Sequence, residues 1–361
     1  MQAQFKHHTL FFQKKIRRVL LWFVVVLFLV GVLFLTQFLM RYKLTPRILW
    51  QVLWGKTTSV VQSNYRTNIV LLGIGGATHE GGSLTDTIIV VSVGLVTHDV
   101  VLISLPRDIW IPSLKDRINS AYLYGEEKSP GSGLVLAKSA VEEVVGIPIH
   151  YSILIDFEGF KHMIDAVDGI DVVIADTFTD PLYPIAGRET DECGGDLTFA
   201  CRYETVTFTK GIEHMSGERA LKYTRSRHAE GDAGTDFARG ARQQAVLVGL
   251  KNKLTQKEIL SNVEKMKAFI TTTQQTITTD MPVTDTLLIG RSFIGTSPIV
   301  RTGILTQDEP EKNKIGLLIN PPLWQYDDKW VLIPKHTDFK QIGKYIACVI
   351  ENQSNCEEFM K

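Results

Sequence analysis

From residue 68 onward, short runs of β-branched apolar residues alternate with segments in which apolar residues recur every third or fourth position. The runs are apolar on both faces, which is typical of strands in the middle of a sheet. Five segments have this strand pattern: Asn68–Ile74, Asp86–Val93, Asp99–Leu105, Ser152–Phe157 and Ile170–Ala175. The alternation predicts a layered α/β fold in which helices cover both faces of a sheet.

Apolar stripes at helical spacing lie between these runs. They consist of Leu134, Ala137, Val141, Val144 and Val145, and of Phe157, Phe160, Ile164 and Val167. Gly169 is expected to end the second helix. Ser216 is expected to cap a short helix, and Asp236 a longer one that ends near Leu254. Residues 177–205 predict an inserted loop or hairpin, and residues 330–334 and 339–351 a terminal strand and helix.

The N-terminal part has a different pattern. Between Arg18 and Arg41 lie 22 residues, Val19–Met40, without a charged side chain. As a helix they would be roughly 33 Å long, which matches a hydrocarbon core of about 30 Å. A cleaved signal peptide has a shorter apolar region and a small-residue cleavage site, whereas Arg41 and Lys43 follow this span. The sequence therefore predicts an uncleaved transmembrane helix, residues 19–40.

Charge is distributed unevenly along the chain. Five basic residues precede the span and three follow it closely, so the positive-inside rule predicts a single-pass protein of the cytoplasmic membrane with residues 1–18 inside and the body outside. Residues 1–43 contain seven basic and no acidic residues, which leaves 32 basic (39 less seven) and 39 acidic residues for the remainder. This mildly acidic body argues against a nucleic-acid binder.

All four cysteines follow the span, in two pairs of equal separation, Cys193 with Cys201 and Cys348 with Cys356. Neither pair has the C-x-x-C spacing and histidine partners that zinc sites usually show. Seven intervening residues suit a local disulfide, and free buried thiols are the alternative. Disulfides would place the body in an oxidising compartment.

Three segments place charged residues at the ends of apolar runs. They are Leu84–Thr87, then Ser104–Asp108 followed by Arg117–Tyr122, and finally Arg225–Arg227 followed by Asp236–Gln244. The third contains four arginines within eighteen residues, Arg225, Arg227, Arg239 and Arg242. A planar guanidinium pairs bidentately with phosphate oxygens, so this set indicates a phosphate-rich ligand. For Arg239 and Arg242, a solvated charged helix face is the alternative.

Asp86, at the start of a predicted strand, has two interpretations. It hydrogen-bonds a turn, which is the commoner role of Asp before a strand. Alternatively it binds a divalent cation, the usual bridge to pyrophosphate oxygens.

The order of these segments is similar to that of one protein family. Six motifs occur in order over about residues 66–295, behind an N-terminal anchor: T-D-T after a Gly-rich turn, S-L-P-R-D, R-I-N-S-A-Y, D-G-I-D-V, L-K-Y-T-R-S-R and D-F-A-R-G-A-R-Q-Q. Together they resemble the LytR–CpsA–Psr family of cell-wall enzymes. The resemblance implies an α/β/α domain with a mixed central sheet and a long apolar pocket for a polyprenyl chain. It also implies a phosphotransferase that moves a glycopolymer from a polyprenyl-pyrophosphate carrier to peptidoglycan, forming a phosphodiester.

The resemblance also implies roles for individual residues. Asp86 would hold Mg²⁺ near the pyrophosphate, and Asp108 or Asp236 would orient an arginine or help to deprotonate the acceptor hydroxyl. The phosphates would be bound by Arg107, Arg225 and Arg227, and the head group supported by Arg239, Arg242 and Gln243.

The chain departs from the family pattern at the turn after the first strand. Many members have a second acidic residue there, in a G-x-D arrangement, where this chain reads Gly73-Ile74-Gly75-Gly76. The missing acid puts a two-carboxylate metal site in question, and Glu80 is the nearby substitute. We expect a linker at residues 41–65, a catalytic domain at 66–300 and, outside the family core, a C-terminal extension at 301–361.

Three other functions stay open on the sequence. A pyrophosphatase acting on the same lipid would use water as the acceptor. A lipid-carrier-binding or envelope-regulatory protein would need no metal. A DNA-binding attenuator is the weakest alternative, because the anchor places the arginines across the membrane from DNA and residues 1–18 show no helix-turn-helix.

Overall fold

The computed structural model describes residues 50–51, 54–55, 57–76, 82–293, 296, 298–312, 314–336, 338–353 and 355–360. The predicted membrane span, residues 19–40, and Glu80 lie outside this part of the chain. Among the described residues, no helix combines the length and the apolar character needed to cross a membrane.

Strands and helices alternate through the described part of the chain. The strands are β1 (Arg66–Ile74), β2 (Thr85–Gly94), β3 (Asp99–Ser104), β4 (Trp110–Ile111), β5 (Asp116–Arg117), β6 (Tyr151–Asp156), β7 (Ile170–Ile174), β8 (Phe178–Pro184), β9 (Tyr203–Phe208), β10 (Gly211–Met215), β11 (Ile277–Thr279), β12 (Ile299–Ile304), β13 (Leu318–Ile319) and β14 (Ile333–Pro334). The helices are α1 (Ala121–Lys128), α2 (Gly133–Val145), α3 (Phe157–Asp165), α4 (Gly217–Arg225), α5 (Asp236–Leu254), α6 (Lys257–Ser261), α7 (Val263–Thr276), α8 (Val283–Ser292) and α9 (Lys340–Glu351).

A mixed sheet of order β11-β6-β1-β2-β3-β12 forms the centre of the domain, so the predicted α/β domain with a mixed central sheet is confirmed. β1 is parallel to β6 and β3 to β12, whereas the β1–β2, β2–β3 and β6–β11 pairs are antiparallel. β1, β3, β6 and β12 therefore end at the same edge of the sheet, and β2 begins there. We call this the carboxyl edge.

Helices cover both faces of the sheet. On one face, Val70, Val90 and Ile103 are buried in a core shared with α2 and α9. On the other face, α3, α4 and α5 pack around a second core that includes Phe208 and Val246. All five predicted strands are present, as β1, β2, β3, β6 and β7.

The C-terminal residues are part of the main domain. The expected boundary between residues 300 and 301 falls inside β12, the strand at one edge of the central sheet. Ile342 and Ile346 of α9 are buried in the same core as α2. The sequence obscured this because β12 has an exposed face and lacks the doubly apolar pattern of the central strands.

Two local predictions can be compared directly with the structure. Ser216 caps α4 as expected, and its hydroxyl accepts a hydrogen bond from the backbone N–H of Arg219. α5 is capped by Thr235, whose hydroxyl accepts from the N–H of Ala238. Asp236 is therefore the first helical residue and not the cap, which frees its carboxylate for other partners.

Residues 178–208 form an antiparallel hairpin of β8 and β9, whose tip contains Cys193 and Cys201. The structure joins these two cysteines, and it joins Cys348 on α9 to Cys356 in the last turn, with 5.6 Å between the Cα atoms in each pair. Both pairs that the spacing predicts thus lie at disulfide distance, and the bonds themselves stay a prediction. The first lies on an exposed loop, whereas Cys348 is buried against the main core.

The two disulfides are expected to differ in their effect on stability. Replacing Cys348 and Cys356 by Ala should lower the free energy of unfolding by about 2–3 kcal/mol, because the link holds the last turn on the main core. Replacing Cys193 and Cys201 by Ala should cost less, because that loop is exposed. Mass spectrometry of non-reduced peptides should find both links, and denaturant unfolding would measure the costs. Four alkylatable thiols in protein made in an oxidising compartment would contradict the assignment.

Candidate functional site

The carboxyl edge of the sheet gathers the charged segments that the sequence singled out. Asp86 lies at the start of β2, where the register with β1 shifts from Gly73–Thr87 to Ile74–Thr85. Asp86 is thus the extra residue of a β-bulge, a device that turns a side chain out of the regular pleat and is common beside active sites. Its side chain is 39% exposed.

Arg107, which follows β3, forms the centre of the cluster. Its Nη1 donates to the Oδ1 of Asp86, and its Nε lies 3.5 Å from Asp108 and 4.0 Å from Asp236. Burial alone would lower the pKa of Arg107, but the three carboxylates outweigh burial and raise this pKa above its usual value. Arg107 is therefore a fixed positive charge at the carboxyl edge.

Asp108 is buried and forms ion pairs with two arginines, Arg107 and Arg117. Its Oδ1 accepts a hydrogen bond of 3.0 Å from Nη1 of Arg117. Burial raises the pKa of Asp108, Arg107 and Arg117 act in the opposite direction, and Asp236 adds to the increase. The buried Nε atoms of Arg107 and Arg117 make no hydrogen bond within the described part of the chain, so both guanidiniums retain donor capacity.

Helix α5 supplies the opposite wall. Gly240 lets it approach β3, since a Cβ there would lie 3.2 Å from the Cβ of Ser104. Gln244 fixes the approach, because its amide donates to the Ser104 hydroxyl and to the carbonyl of Gly303, both at 2.8 Å. This packing brings Arg239 and Gln243 to the carboxyl edge.

Arg239 and Gln243 contact the site from α5 in different ways. Arg239 is buried and its Nη1 lies 2.9 Å from Asp236, while burial lowers its pKa. Gln243 donates a hydrogen bond of 2.8 Å to the hydroxyl of Thr87, next to Asp86. Both side chains therefore line the space beside Asp86.

Arg242 occupies a different environment from the one expected. Its guanidinium is buried and donates to the carbonyls of Tyr223 (2.9 Å), Ala233 (2.8 Å) and Ser226. Burial lowers its pKa to about 10. These bonds hold the segment after α4 against α5, so Arg242 positions neighbouring arginines and does not line the cavity described below.

Arg225 and Arg227 extend from that segment toward the cavity. The guanidinium of Arg225 lies 4.2 Å above the ring of Phe157, and both arginines line the cavity. The fully buried carboxylate of Asp180 accepts hydrogen bonds from the backbone N–H groups of Arg227 (2.9 Å) and His228 (3.2 Å). Asp180 and Arg242 thus set the backbone from which these arginines project.

A cavity of about 370 Å³ opens between the sheet and helices α3, α4 and α5. Most of its wall is apolar and includes Leu71, Ile89, Ile153, Phe160, Met163 and Leu250. At the carboxyl edge the wall becomes polar, with Asp86, Arg225, Arg227, His228, Arg239 and Gln243. The cavity therefore suits a molecule with an apolar chain and an anionic head.

The carboxylates at this edge decide whether a divalent cation fits. One carboxylate oxygen of Asp86, Oδ1, accepts a hydrogen bond from Arg107, and the other oxygen does not take part in that bond. Asp156, at the end of β6, caps α3 by accepting from the N–H of Gly159 at 2.7 Å, and its other oxygen faces Gly76. The residues present therefore fit a site in which one carboxylate and substrate oxygens hold Mg²⁺.

Several residues of this edge were not predicted from the sequence. Asp156 and His228 line the cavity, and Asp180 supports its arginines. Asp156 lies near the end of a predicted strand, and His228 directly follows Arg227. Their positions next to predicted site elements could have indicated both residues. Nothing in the sequence indicated Asp180, because this residue lies inside the segment 177–205, which was predicted to be an inserted loop or hairpin.

Comparison with known proteins adds a separate line of information. The LytR_cpsA_psr family model matches residues 51–318. A Bacillus mycoides protein named polyisoprenyl-teichoic acid–peptidoglycan teichoic acid transferase TagU is 28% identical over 203 residues, 55% of this chain and 56% of the relative. An Enterococcus faecalis protein of the same name is 29% identical over 226 residues, 60% and 62% of the two chains. The chain spans just over half the length of these relatives.

Solved structures with the same fold include Bacillus subtilis TagV, with a TM-score of 0.55 and 23% identity over 80% of this chain and 99% of that one. A structure described as TagT bound to LIIa-WTA has a TM-score of 0.53 and 19% identity, covering 80% and 92%. At these identities the likeness establishes the fold alone. The family model, in contrast, matches most of the chain, and with it the chain belongs to the LytR–CpsA–Psr family.

Proposed function

We propose that this protein transfers a glycopolymer from a polyprenyl-pyrophosphate carrier to peptidoglycan, forming a phosphodiester bond at the outer face of the cytoplasmic membrane. One observation carries the proposal: an apolar cavity of about 370 Å³ ends in a cluster of arginines at the carboxyl edge. The names of the curated relatives, which are teichoic acid transferases, support the same reaction.

The donor would lie with its polyprenyl chain along the apolar wall and its pyrophosphate at the carboxyl edge. Arg225 and Arg227 line the cavity and would bind phosphate oxygens, with Arg107 and Arg239 adjoining through the space around Asp86. Forked guanidiniums fixed before substrate arrives stabilise the negative charge that develops on the transferring phosphoryl group.

In the transfer, the acceptor hydroxyl oxygen forms a bond to the glycopolymer-bearing phosphorus, and the bond from that phosphorus to the polyprenyl phosphate breaks. The hydroxyl proton needs an acceptor. The side chain of Asp236 is 24% exposed and that of Asp108 only 6%, so Asp236 is better placed to take the proton. Asp108, clamped between Arg107 and Arg117, acts by orienting arginines.

A magnesium ion is proposed at Asp86, with the second acid of other family members absent at Gly75. A bound Mg²⁺ would supply positive charge to the pyrophosphate oxygens. Asp86 would contribute the carboxylate oxygen that does not face Arg107. Asp156 lies next to this site, but its carboxylate caps α3 by accepting a hydrogen bond from Gly159.

Transfer would be tested with the purified full chain, lipid-linked glycopolymer and peptidoglycan fragments. We expect a joined phosphodiester product. Release of free phosphorylated glycan would instead identify a hydrolase, and no turnover together with donor binding would identify a carrier-binding protein.

Arginine-to-lysine variants test the phosphate site in the same assay. Arg225→Lys and Arg227→Lys keep the charge but lose the bidentate fork, so transfer should fall about 10- to 100-fold with little change in melting temperature. Arg242→Lys is the matched control. It should lower the free energy of unfolding by about 1–3 kcal/mol, because buried carbonyls lose their donors. Near-native transfer in both Arg225→Lys and Arg227→Lys would place the head group elsewhere.

Asp86→Asn tests the metal, because it removes the negative ligand at almost constant shape. We expect loss of Mg²⁺-dependent transfer with little change in stability. Gly75→Asp should lower the Mg²⁺ concentration needed for half-maximal transfer by supplying a second carboxylate. Calorimetric titration of Mg²⁺ into the free protein, with and without donor, gives a readout besides activity. Full transfer in EDTA would rule out the metal.

We also propose that residues 1–18 lie in the cytoplasm and the body outside, anchored by residues 19–40. Protease added to intact spheroplasts should digest the body of the protein. Complete protection, with digestion only after membrane lysis, would reverse this orientation.

A further inference from the structure

Residues 322–330, which we call the aromatic loop, present large aromatic side chains to solvent. Trp324 is 75% exposed and Trp330 is 44% exposed. Tyr326, between them, is partly buried against Trp110, with 4.9 Å between the ring centroids. Exposed aromatic clusters of this kind mark binding surfaces more often than isolated apolar residues do.

Leu332, two residues beyond the aromatic loop, joins this part of the chain to the carboxyl edge by backbone hydrogen bonds. The N–H of Leu332 donates to the carbonyl of Asp108, and the N–H of Trp110 donates to the carbonyl of Leu332, both at 2.9 Å. Lys329 adds an ion pair of 3.0 Å with Asp116. The loop is therefore attached to the same short segment that carries Asp108 into the arginine cluster.

A series of contacts connects the arginine cluster to the loop. Trp110 and Arg117 are direct partners in the β4–β5 pair, so their side chains lie on the same face. Arg117 bonds to Asp108 within the cluster, and Trp110 contacts Tyr326 of the loop. One cross-strand pair, Trp110 and Arg117, therefore connects the arginine cluster to the aromatic loop.

The loop itself has a defined shape. Asp327 and Asp328 both adopt positive φ angles, 54° and 58°, which Asp tolerates better than most residues, and these angles fix a tight turn between the two exposed tryptophans. Both aspartates are exposed, so their carboxylates are available to accept hydrogen bonds beside the rings. Flat rings beside hydrogen-bond acceptors match the two surfaces of a sugar, whose ring C–H groups are weakly positive and whose hydroxyls donate.

We propose that the aromatic loop is the platform on which the acceptor polysaccharide strand lies, with sugar rings stacked on Trp324 and Trp330 and the reacting hydroxyl directed toward the carboxyl edge. This inference rests on the proposed transfer function and assigns the acceptor side of the site. The arginines and the apolar cavity hold the donor, and the aromatic loop holds the acceptor strand on the far side of Arg117.

A lipid surface is the competing occupant for exposed tryptophans, and the strand geometry disfavours it. The chain enters the sheet at Arg66 and reaches the carboxyl edge at Ile74, a span of about 30 Å for nine residues. The exposed rings of Trp50 and Trp54 precede that entry point. The aromatic loop lies at the opposite end of the strand, away from the side on which the predicted anchor leads in.

Binding would be measured with the full chain in detergent and peptide-free glycan strands of alternating N-acetylglucosamine and N-acetylmuramic acid. Trp324→Ala/Trp330→Ala should weaken binding at least about tenfold, whereas Trp324→Phe/Trp330→Phe should largely retain it. The matched control is Phe199→Ala, which removes a 39% exposed aromatic ring from the disulfide-linked hairpin and should bind like wild type. In the transfer assay, the double alanine variant should raise the KM for acceptor about tenfold and leave the KM for donor unchanged.

Unchanged glycan binding in the double alanine variant would overturn the platform. So would a component of brominated-lipid quenching of tryptophan fluorescence, in reconstituted vesicles, that is present in wild type and lost in this variant while the quenching of the remaining tryptophans persists, because it would show the loop at the lipid surface. The binding measurement needs no donor and separates the two proposals. Glycan binding that depends on the loop, without any transfer, would support the platform and refute the transferase. Transfer with unaltered acceptor kinetics in the variant would do the reverse.

Discussion

The contact between Arg107 and three carboxylates is the interaction on which the site depends. Asp86 belongs to β2, Asp108 follows β3, and Asp236 begins α5, so one guanidinium connects two neighbouring strands to the helix that packs across them. A buried guanidinium is costly unless it is paired, and an excess of carboxylates around it would be costly for the same reason. Arg117 and Arg239 supply the further positive charge, one to Asp108 and one to Asp236. The resulting network is nearly balanced in charge without any ligand, although the Nε atoms of Arg107 and Arg117 make no hydrogen bond to the described residues.

The arginines of this site divide into those that hold the structure and those that face the cavity. Arg242 donates to three backbone carbonyls, while Arg225 stacks on an aromatic ring and the backbone N–H of Arg227 donates to Asp180. Both kinds have the same residue type and lie within eighteen positions of each other, so composition and spacing could not separate them. The distinction depends on which carbonyls surround each guanidinium, and that depends on the packing of α4 against α5.

The sequence predicted features that depend on local residue patterns, and it did not predict those that depend on how elements pack. The central strands were predictable because both of their faces are apolar: Val70 and Val90 face the main core, and Leu71 and Ile89 face the cavity. The order of motifs identified the family. β12 was missed because an edge strand need not be apolar on both faces. Asp86 could be named but not its bulge, since a register shift is a property of two strands. Asp180 accepts hydrogen bonds from the backbone N–H groups of Arg227 and His228, which only the folded chain brings to it, whereas the cap that Asp156 forms with Gly159 is local.

The cavity imposes a cost on the fold that its proposed ligand would offset. Leu71, Ile89 and Ile153 lie on the face of the sheet opposite the main core, where α3 and α5 stand off and leave about 370 Å³. Apolar walls without partner atoms forgo the dispersion contacts that a packed core provides, and even the smaller cavities left by large-to-small core substitutions cost about 2–5 kcal/mol. A bound polyprenyl chain would supply those contacts and stabilise the folded state by mass action. The hydrogen bonds of Gln244 to Ser104 and Gly303 keep α5 in place at the carboxyl edge while the helix remains apart from the sheet further along. The same helix thereby holds the charged end of the site rigid and leaves the apolar end open, which is the combination that an anionic lipid donor requires.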